Sequence, residues 1–535
     1  MSLATPSSAN LNLPQGQKTE VDRLRMTHEL WRVYAPEWEL YLSSYEGGPD
    51  FTQAKNLFKH FRENLEDFND RVARCHYINY CDTLVDFFTN FIFAETISRD
   101  GGTNSEFYKE FTQDVNKKGE GIDDYMKAVS DDMQIFGMSY TLVDTPKIPA
   151  GVDVVTKQDE QDQGIRPYWI LVRPDEITDW VVDDFGKYLY FKRRQIINQI
   201  SNSTILTVEK YTEWFSDQIV LSYIDITDPA NPKLLPKETF QNKLGLIPLQ
   251  VVRYKRSKRN PHMGNSFLRD FAYNGREVMN LTSLLQEFLY RQCFNILAKE
   301  VDNAIPMKDQ EDGVVGNSNS IEVPKGAAMP QYISPPADPA KFIQDERQRI
   351  VQEMFRRAAQ DTLNELFNGE KSSGFSQAQS FSKTVPFIAS RAETLECAEN
   401  QLMSLTMQLV GKSWDGRVKY KDRYELTNVT DAMTQLMTLA RDLMIPSPTF
   451  VKEELKRLVH EYDGKLSDDN LAKVDSEIDK LDFSDWQATQ KLALIGKAGI
   501  SPGEQQQPKG TGSMKEVASE SNNSPKVGAT NKVKS

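Results

Sequence analysis

The chain has 535 residues, 39% of them hydrophobic, with a formal net charge of −13 and four cysteines. Its length allows two to four domains, and the absence of any apolar run of about 18 residues argues against a membrane span. An acidic chain does not favour tight nucleic-acid binding, which needs a basic face. A path along which DNA slides needs only weak contacts, however. The cysteines lie in apolar or helical patterns, which suits a reducing cytoplasm.

The N-terminal half is predicted to pass from helices into a sheet. Residues 1–20 are polar, so we expect them to be disordered. Residues 21–100 are mostly helical in pattern, and 122–136 form a further helix before a strand at 139–144. Between 167 and 254 apolar residues alternate with polar ones, which predicts an antiparallel meander. The strands are expected at 168–172, 180–182, 188–191, 205–208, 219–221 and 249–252.

The middle of the chain has the pattern of a stalk. Apolar residues recur at steps of three and four over 263–297 and again over 340–367, which predicts two long helices. Residues 298–339 between them contain turns and short β runs, and 368–374 read as a polar Gly/Ser loop. The same pattern also fits an ordinary helical hairpin in a monomeric globule, and both interpretations stay open at this point.

The C-terminal part is predicted to be largely helical. Residues 375–411 form a third long helix, in which Pro386 should produce a kink because proline removes a backbone hydrogen bond. The remaining predictions are short strands at 413–430, helices at 431–443, 449–462 and within 467–498, and a disordered tail at 503–535.

No catalytic, metal or cofactor site is predicted. A Gly-rich phosphate loop is absent, and the five histidines are not at ligand spacing. Adjacent acidic pairs such as Asp123-Asp124 and Asp131-Asp132 would suit a metal-dependent nuclease, but such pairs are more often solvated surface. The basic run 253–259 would suit phosphate or, equally, a solvated linker before the stalk.

The order of these elements resembles the portal, or head–tail connector, proteins of tailed bacteriophages over roughly residues 30–500. The resemblance rests on the order of several short motifs, each weak alone. They are Tyr45-Glu46-Gly47-Gly48, Asn79-Tyr80, the passage Phe136 to Asp144, Arg166-Pro167-Tyr168, the stretch Arg173 to Trp180, Val323 to Ala327 and Ser373-Gly374-Phe375.

The resemblance implies an α+β, predominantly helical portal-like subunit that assembles as a ring, usually of twelve copies. It also implies named regions along the chain. These are a wing at 21–262, stem helices at 263–297 and 340–367, a clip at 298–339, a tunnel loop at 368–374, a kinked tunnel helix with a return to the wing at 375–445, and a crown at 446–502.

Candidate site residues follow from the same resemblance. The loop expected to face DNA consists of Asn368, Gly369, Glu370, Lys371, Ser372, Ser373 and Gly374. Candidate phosphate contacts, or else ordinary surface charges, are Lys371, Lys383 and Arg391. The docking surface expected on the clip is Lys308, Asp309, Gln310, Glu311 and Asp312.

The function implied is a non-enzymatic channel at one capsid vertex for packaging and ejecting double-stranded DNA. The implied partners are further copies of the chain, major capsid protein, scaffold, terminase and later a head-completion or tail adaptor, with no membrane and no cofactor. Its expected place is the virion, after assembly in the host bacterial cytoplasm. The alternative is another virion or scaffold protein with a helical hairpin and no DNA channel.

Overall fold

The chain divides into two units, Met1–Leu426 and Thr427–Ser535. The computed structural model describes the placement of part of each unit. The described residues are 15–53, 55–94, 96–146, 165–201, 204–242, 244–292, 296–298, 331–333, 338–358, 382–421, 424, 448–462 and 468–480.

Helices and strands are both frequent among these residues, as the α+β prediction requires. The α-helices are α1 Gln15–Arg25, α2 Glu29–Glu46, α3 Gly48–Phe51, α4 Leu65–Arg74, α5 Cys81–Ala94, α6 Ser105–Gln113, α7 Ile122–Phe136, α8 Phe271–Gln292, α9 Asp338–Arg357, α10 Val385–Leu409, α11 Pro448–Tyr462 and α12 Asp468–Lys480. The strands are β1 Ser98–Asp100, β2 Met138–Asp144, β3 Tyr168–Val172, β4 Ile177–Val182, β5 Tyr188–Ser201, β6 Thr204–Phe215, β7 Gln218–Asp225, β8 Lys233–Leu234, β9 Glu238–Gln241, β10 Leu249–Arg253, β11 Ile296–Ala298, β12 Gln331–Ile333 and β13 Arg417–Lys419.

The largest sheet is the predicted antiparallel meander. Its strands lie in the order β4-β5-β6-β7-β8, and β9 also pairs with β7. A second sheet has the order β10-β2-β3, so β10 returns from the meander to the strand that follows α7. Two smaller antiparallel pairs, β1 with β13 and β11 with β12, join segments far apart in sequence.

Two large apolar clusters hold the first unit together. One joins α2, the meander and the adjoining ends of α8 and α9, and the other joins α5, α6, α7 and α10. Their buried tryptophans have hydrogen-bond partners, as buried indole N–H groups require. Trp38 Nε1 donates to the Phe136 carbonyl at 3.1 Å, and Trp169 Nε1 donates to Thr406 Oγ1 at 2.8 Å.

The prediction of disorder for 1–20 is wrong for residues 15–20, which belong to α1. Val21 and Leu24 of this helix are buried against Tyr211 and Ile224 of the meander. The tertiary contact therefore orders a helix whose own composition is polar.

The predicted helix 263–297 is wrong at both ends. It begins at Phe271, after a 3₁₀ turn that Ser266 caps by accepting a hydrogen bond from Leu268 N. Gly264 cannot be helical because it crosses Gly137 so closely that a Cβ at Gly264 would lie 1.9 Å from the Gly137 carbonyl oxygen. At the other end, 296–298 form strand β11.

The predicted kink at Pro386 is also wrong. α10 begins at Val385, so Pro386 lies in its first turn, where a missing N–H leaves no carbonyl unpaired. Residues 375–381 of the predicted helix lie outside the described part, as do 431–443 and 503–535.

The second unit is described by α11 and α12. The predicted helix 449–462 is confirmed, and it begins at Pro448. Lys456 Nζ of α11 lies 2.7 Å from Asp479 Oδ1 of α12, so an ion pair joins the two helices.

Candidate functional site

The stalk prediction concerns α8 and α9, which we call the stalk hairpin. Arg357 at the end of α9 forms a 2.6 Å ion pair with Asp270, directly before α8, so the two helices run antiparallel. At the opposite end β11 pairs with β12, with Leu297 opposite Tyr332. The order helix, tip, helix is therefore confirmed, while 299–330 of the predicted clip lie outside the described residues.

The proximal part of the stalk hairpin is fixed to the helical N-terminal region. Asn280 accepts a hydrogen bond from Phe58 N at 2.8 Å and donates to the Asn56 carbonyl at 2.9 Å. Buried Arg71 pairs with Glu63 at 2.8 Å and donates to Ser283 Oγ at 3.2 Å. Polar contacts from several directions thus hold the middle of α8 in one position.

Gly275 allows α8 to approach its neighbour closely. A Cβ at this buried position would lie 2.8 Å from Tyr77 Oη and 3.6 Å from Cys81 Sγ. The sequence suggests an exposed weak point in a helix here, where a larger residue would add about 1 kcal/mol of helix propensity. The structure overturns that interpretation, because the glycine makes room for the phenol.

The distal part of the stalk hairpin is apolar and uncovered. Phe271, Val278, Met354 and Phe355 are buried in the proximal part. Towards the tip, four large apolar side chains are exposed. They are Leu284, Leu289 at 48%, Tyr290 at 52% and Phe342 at 73%. An exposed patch of this kind marks an interaction surface more often than a solvated one.

A second apolar surface lies on the β5–β6 hairpin. Residues 195–208 contain no charged side chain, in a chain with 26% charged residues. Ile200 pairs with Ile205 across the two strands and is 83% exposed. Ile196, on the same face, is also exposed. We call 195–208 the β-arm.

Arg391 is not a phosphate contact. It is 4% exposed, and its guanidinium carbon lies 3.5 Å from the Phe88 ring centroid and 4.9 Å from that of Tyr254. Its Nη2 donates to Tyr254 Oη at 2.8 Å, and burial lowers the pKa of the guanidinium to about 10. The signal was available, since Arg391 follows Ile388 by three residues and precedes Leu395 by four, on the apolar face of α10.

The other predicted site residues stay predictions. Lys383 is exposed directly before α10. The loop 368–374 with Lys371, and the docking residues 308–312, lie outside the described part of the chain. The structure thus brings none of the predicted DNA-facing residues together.

Two of the motifs behind the resemblance do meet. Asn79 Nδ2 donates to the Tyr45 carbonyl at 2.5 Å, and Asn79 Oδ1 accepts from Cys81 N at the start of α5. Gly47 stands beside this amide with a φ of 65°, a conformation that favours glycine. Sequence reasoning named these residues without predicting the contact.

The acidic pairs do not form a cluster. Asp123 pairs with Arg99 at 2.7 Å, whereas Asp131 accepts from Thr89 Oγ1 at 2.6 Å. Burial is the main cause that raises the pKa of Asp131 to about 6 and that of Asp132 to about 7. Among the described residues, no three acidic, histidine or cysteine side chains are grouped as metal ligands would be.

Comparison with known proteins gives limited information. No family model and no curated protein matches the chain. One similar solved structure is the neck of an empty GTA particle computed with C6 symmetry, at 10% identity and a TM-score of 0.39, covering 68% of this chain and 85% of that chain. Another is the neck of a native GTA particle computed with C12 symmetry, at 11% identity and a TM-score of 0.36, covering 74% and 89%. Likeness at this level carries no argument about this chain. No described helix is long and apolar enough to span a bilayer.

Proposed function

We propose that the chain is the subunit of a ring-shaped connector at a capsid vertex, which passes double-stranded DNA and docks first terminase and then a tail adaptor. The observation that carries this proposal is the stalk hairpin, with its apolar distal part exposed. Each fully buried large apolar side chain contributes about 1.5–3 kcal/mol. A lone subunit forgoes that gain at Leu289 and Phe342, whereas further copies packed side by side would recover it.

The tip of the hairpin supports association in the same way. Within the described residues, β11 pairs only with β12, and β12 only with β11. A two-stranded sheet is at most marginally stable by itself, and its unpaired edges can accept further strands. Contact with a neighbouring subunit would stabilise it.

Two different apolar surfaces suit a ring better than a dimer. The stalk hairpin and the β-arm belong to separate elements, α8–α9 and β5–β6. A head-to-tail interface uses two different surfaces of each subunit and closes into a ring when the rotation allows it. A symmetric dimer would use one surface twice.

We assign no enzymatic role to the subunit. The net charge of −13 fits a channel in which DNA moves without tight binding. The second candidate is a virion or scaffold protein with the same hairpin and no DNA channel. The exposed apolar surfaces favour self-association in both cases, so only the central opening separates the two functions.

Electron microscopy of the purified protein tests the proposal. We expect rings with a central opening wide enough for duplex DNA. A ring without such an opening favours the scaffold alternative, and a monodisperse monomer under all assembly conditions contradicts both.

A double variant, Leu289→Ser with Phe342→Ser, tests the role of the hairpin. Loss of two buried apolar side chains per interface should cost about 3 kcal/mol, which weakens association more than about a hundredfold. Folding should be unchanged because both side chains are exposed in the subunit. Phe185→Ser is the matched control, since Phe185 is 96% exposed in the β4–β5 turn. Equal loss of assembly in the control and the double variant would contradict the assignment.

A further inference from the structure

A basic loop connects the second sheet to the stalk hairpin. It follows β10 and places four cationic side chains within five positions, Lys255, Arg256, Lys258 and Arg259. All four are exposed, whereas Ser257 between them is buried. We call residues 255–262 the basic loop. The interpretation of this run as a solvated linker does not fit its structure.

The basic loop is held in a fixed conformation. Its two ends meet, since Asn265 N donates to the Lys255 carbonyl at 2.7 Å and Arg256 forms an isolated antiparallel bridge with Gly264. Ser257 N donates to the carbonyl of buried Met263 at 3.0 Å. The cations therefore extend from an ordered backbone, which lowers the entropy cost of binding a ligand.

A second set of contacts fixes the far side of the basic loop. Arg253 Nε donates to the His262 carbonyl at 3.0 Å, and Met263 N donates to the Asn260 carbonyl at 2.8 Å. The side chain of Asn260 reaches α2, where its Nδ2 lies 3.5 Å from Tyr34 Oη. The loop is thus anchored to the core on both sides of its four charges.

The four charges lack the compensation that other arginines of this chain receive. Arg71, Arg99 and Arg194 each form an ion pair with a glutamate within 3 Å. No ion pair joins Lys255, Arg256, Lys258 or Arg259 to a carboxylate of the described residues. In a chain with 13 excess negative charges, such a concentration of unmatched positive charge has no role in stability, because like charges repel.

We infer that the basic loop is a binding site for the phosphodiester backbone of nucleic acid. Phosphate contacts release counterions and favour closely spaced lysines and arginines. An acidic protein partner is less well matched. Protein interfaces are centred on buried apolar or aromatic anchors, and none of the exposed large apolar side chains lies between 255 and 262.

The inferred contact is independent of base sequence. Reading a base edge needs an amide or guanidinium at hydrogen-bond geometry in a groove, and the one amide of the loop, Asn260, already faces Tyr34. This site goes beyond the channel proposed above, since it needs only a folded subunit. It predicts a stationary contact with nucleic acid, whereas a channel requires DNA to slide.

The experiment compares the full-length protein with two variants of equal charge change. The loop variant carries Lys255→Gln, Arg256→Gln, Lys258→Gln and Arg259→Gln. The control carries Lys109→Gln, Lys118→Gln, Lys187→Gln and Lys233→Gln, four lysines exposed elsewhere. Fluorescence anisotropy measures binding to two labelled DNA duplexes of unrelated sequence, and to labelled polyglutamate, at several salt concentrations. Thermal unfolding confirms that each variant is folded.

We expect the parent protein to bind both duplexes alike and the loop variant to bind at least about tenfold more weakly at low salt. The slope of log K against log salt should fall by about 0.9 for each phosphate contact removed, while the control keeps the parent slope. Equal weakening in both variants would reduce the effect to net charge and overturn the inference. Undiminished binding by the loop variant, no binding by the parent, or tighter binding of polyglutamate than of DNA would also overturn it. Ring formation, seen by electron microscopy, is scored separately, so failure of this site and failure of the connector proposal are distinguishable.

Discussion

The close approach of Gly275 to Tyr77 gives a prediction whose sign depends on the tertiary structure. In an exposed helix, Gly→Ala adds about 1 kcal/mol of stability. At position 275 the new Cβ would lie 2.8 Å from Tyr77 Oη, and the next ring atom is 3.5 Å away, at ordinary contact distance. Overpacking of this kind costs about 1–3 kcal/mol. We therefore expect Gly275→Ala to change the free energy of unfolding by between about 0 and −2 kcal/mol, and Gly275→Leu to cost more.

A double-mutant cycle isolates the phenol oxygen. Tyr77→Phe removes the atom at 2.8 Å, so Gly275→Ala in that background should regain its gain of about 1 kcal/mol. The lost hydrogen bond from Tyr77 Oη to Cys81 Sγ, at 3.4 Å, cancels in the cycle. Urea unfolding followed by far-ultraviolet circular dichroism measures all four proteins. A stabilisation of about 1 kcal/mol by Gly275→Ala in both backgrounds would refute the close-approach argument.

Two further predictions concern buried charge. The pKa of Asp131 is raised to about 6, chiefly by burial, so its ionisation opposes folding increasingly as pH rises from about 4 to 6. Asp131→Asn should leave stability at pH 4 unchanged and raise it by about 1–2 kcal/mol at pH 8, whereas Asp124→Asn, exposed on the same helix, should show no such change. Arg99→Met should cost about 3–5 kcal/mol, because it leaves the fully buried Glu399 carboxylate, now 2.7 Å from Arg99, without its cation. Adding Glu399→Met should restore most of that loss in urea unfolding, and Lys419→Met, at an exposed pair with Glu396, should cost at most about 1 kcal/mol. A pH-independent effect in the first case, or no recovery in the second, would show that burial does not govern these groups.

The sequence by itself determined those elements whose pattern is local. Helix 122–136 and its end at Gly137 followed from apolar periodicity and a residue that tolerates a positive φ, here 85°. Alternation over 167–254 was enough for the antiparallel meander. Two long helical patterns around a turn-rich insert were enough for the antiparallel order of the stalk hairpin. The short strands β8 and β9 carried too little pattern to be recognised.

Only the tertiary structure decided which charges are buried and where the backbone crosses itself. Arg391 lay on an apolar helix face in the sequence, but the aromatic rings around it come from α5 and from the segments on either side of Gly264. Gly264 and Gly137 meet across more than a hundred residues of chain, so no local pattern could end the first stalk helix at Phe271. The basic run of 253–259 was visible in the sequence as charge alone. Its closed ends and its lack of carboxylate partners among the described residues arise from long-range packing, which the local sequence does not encode.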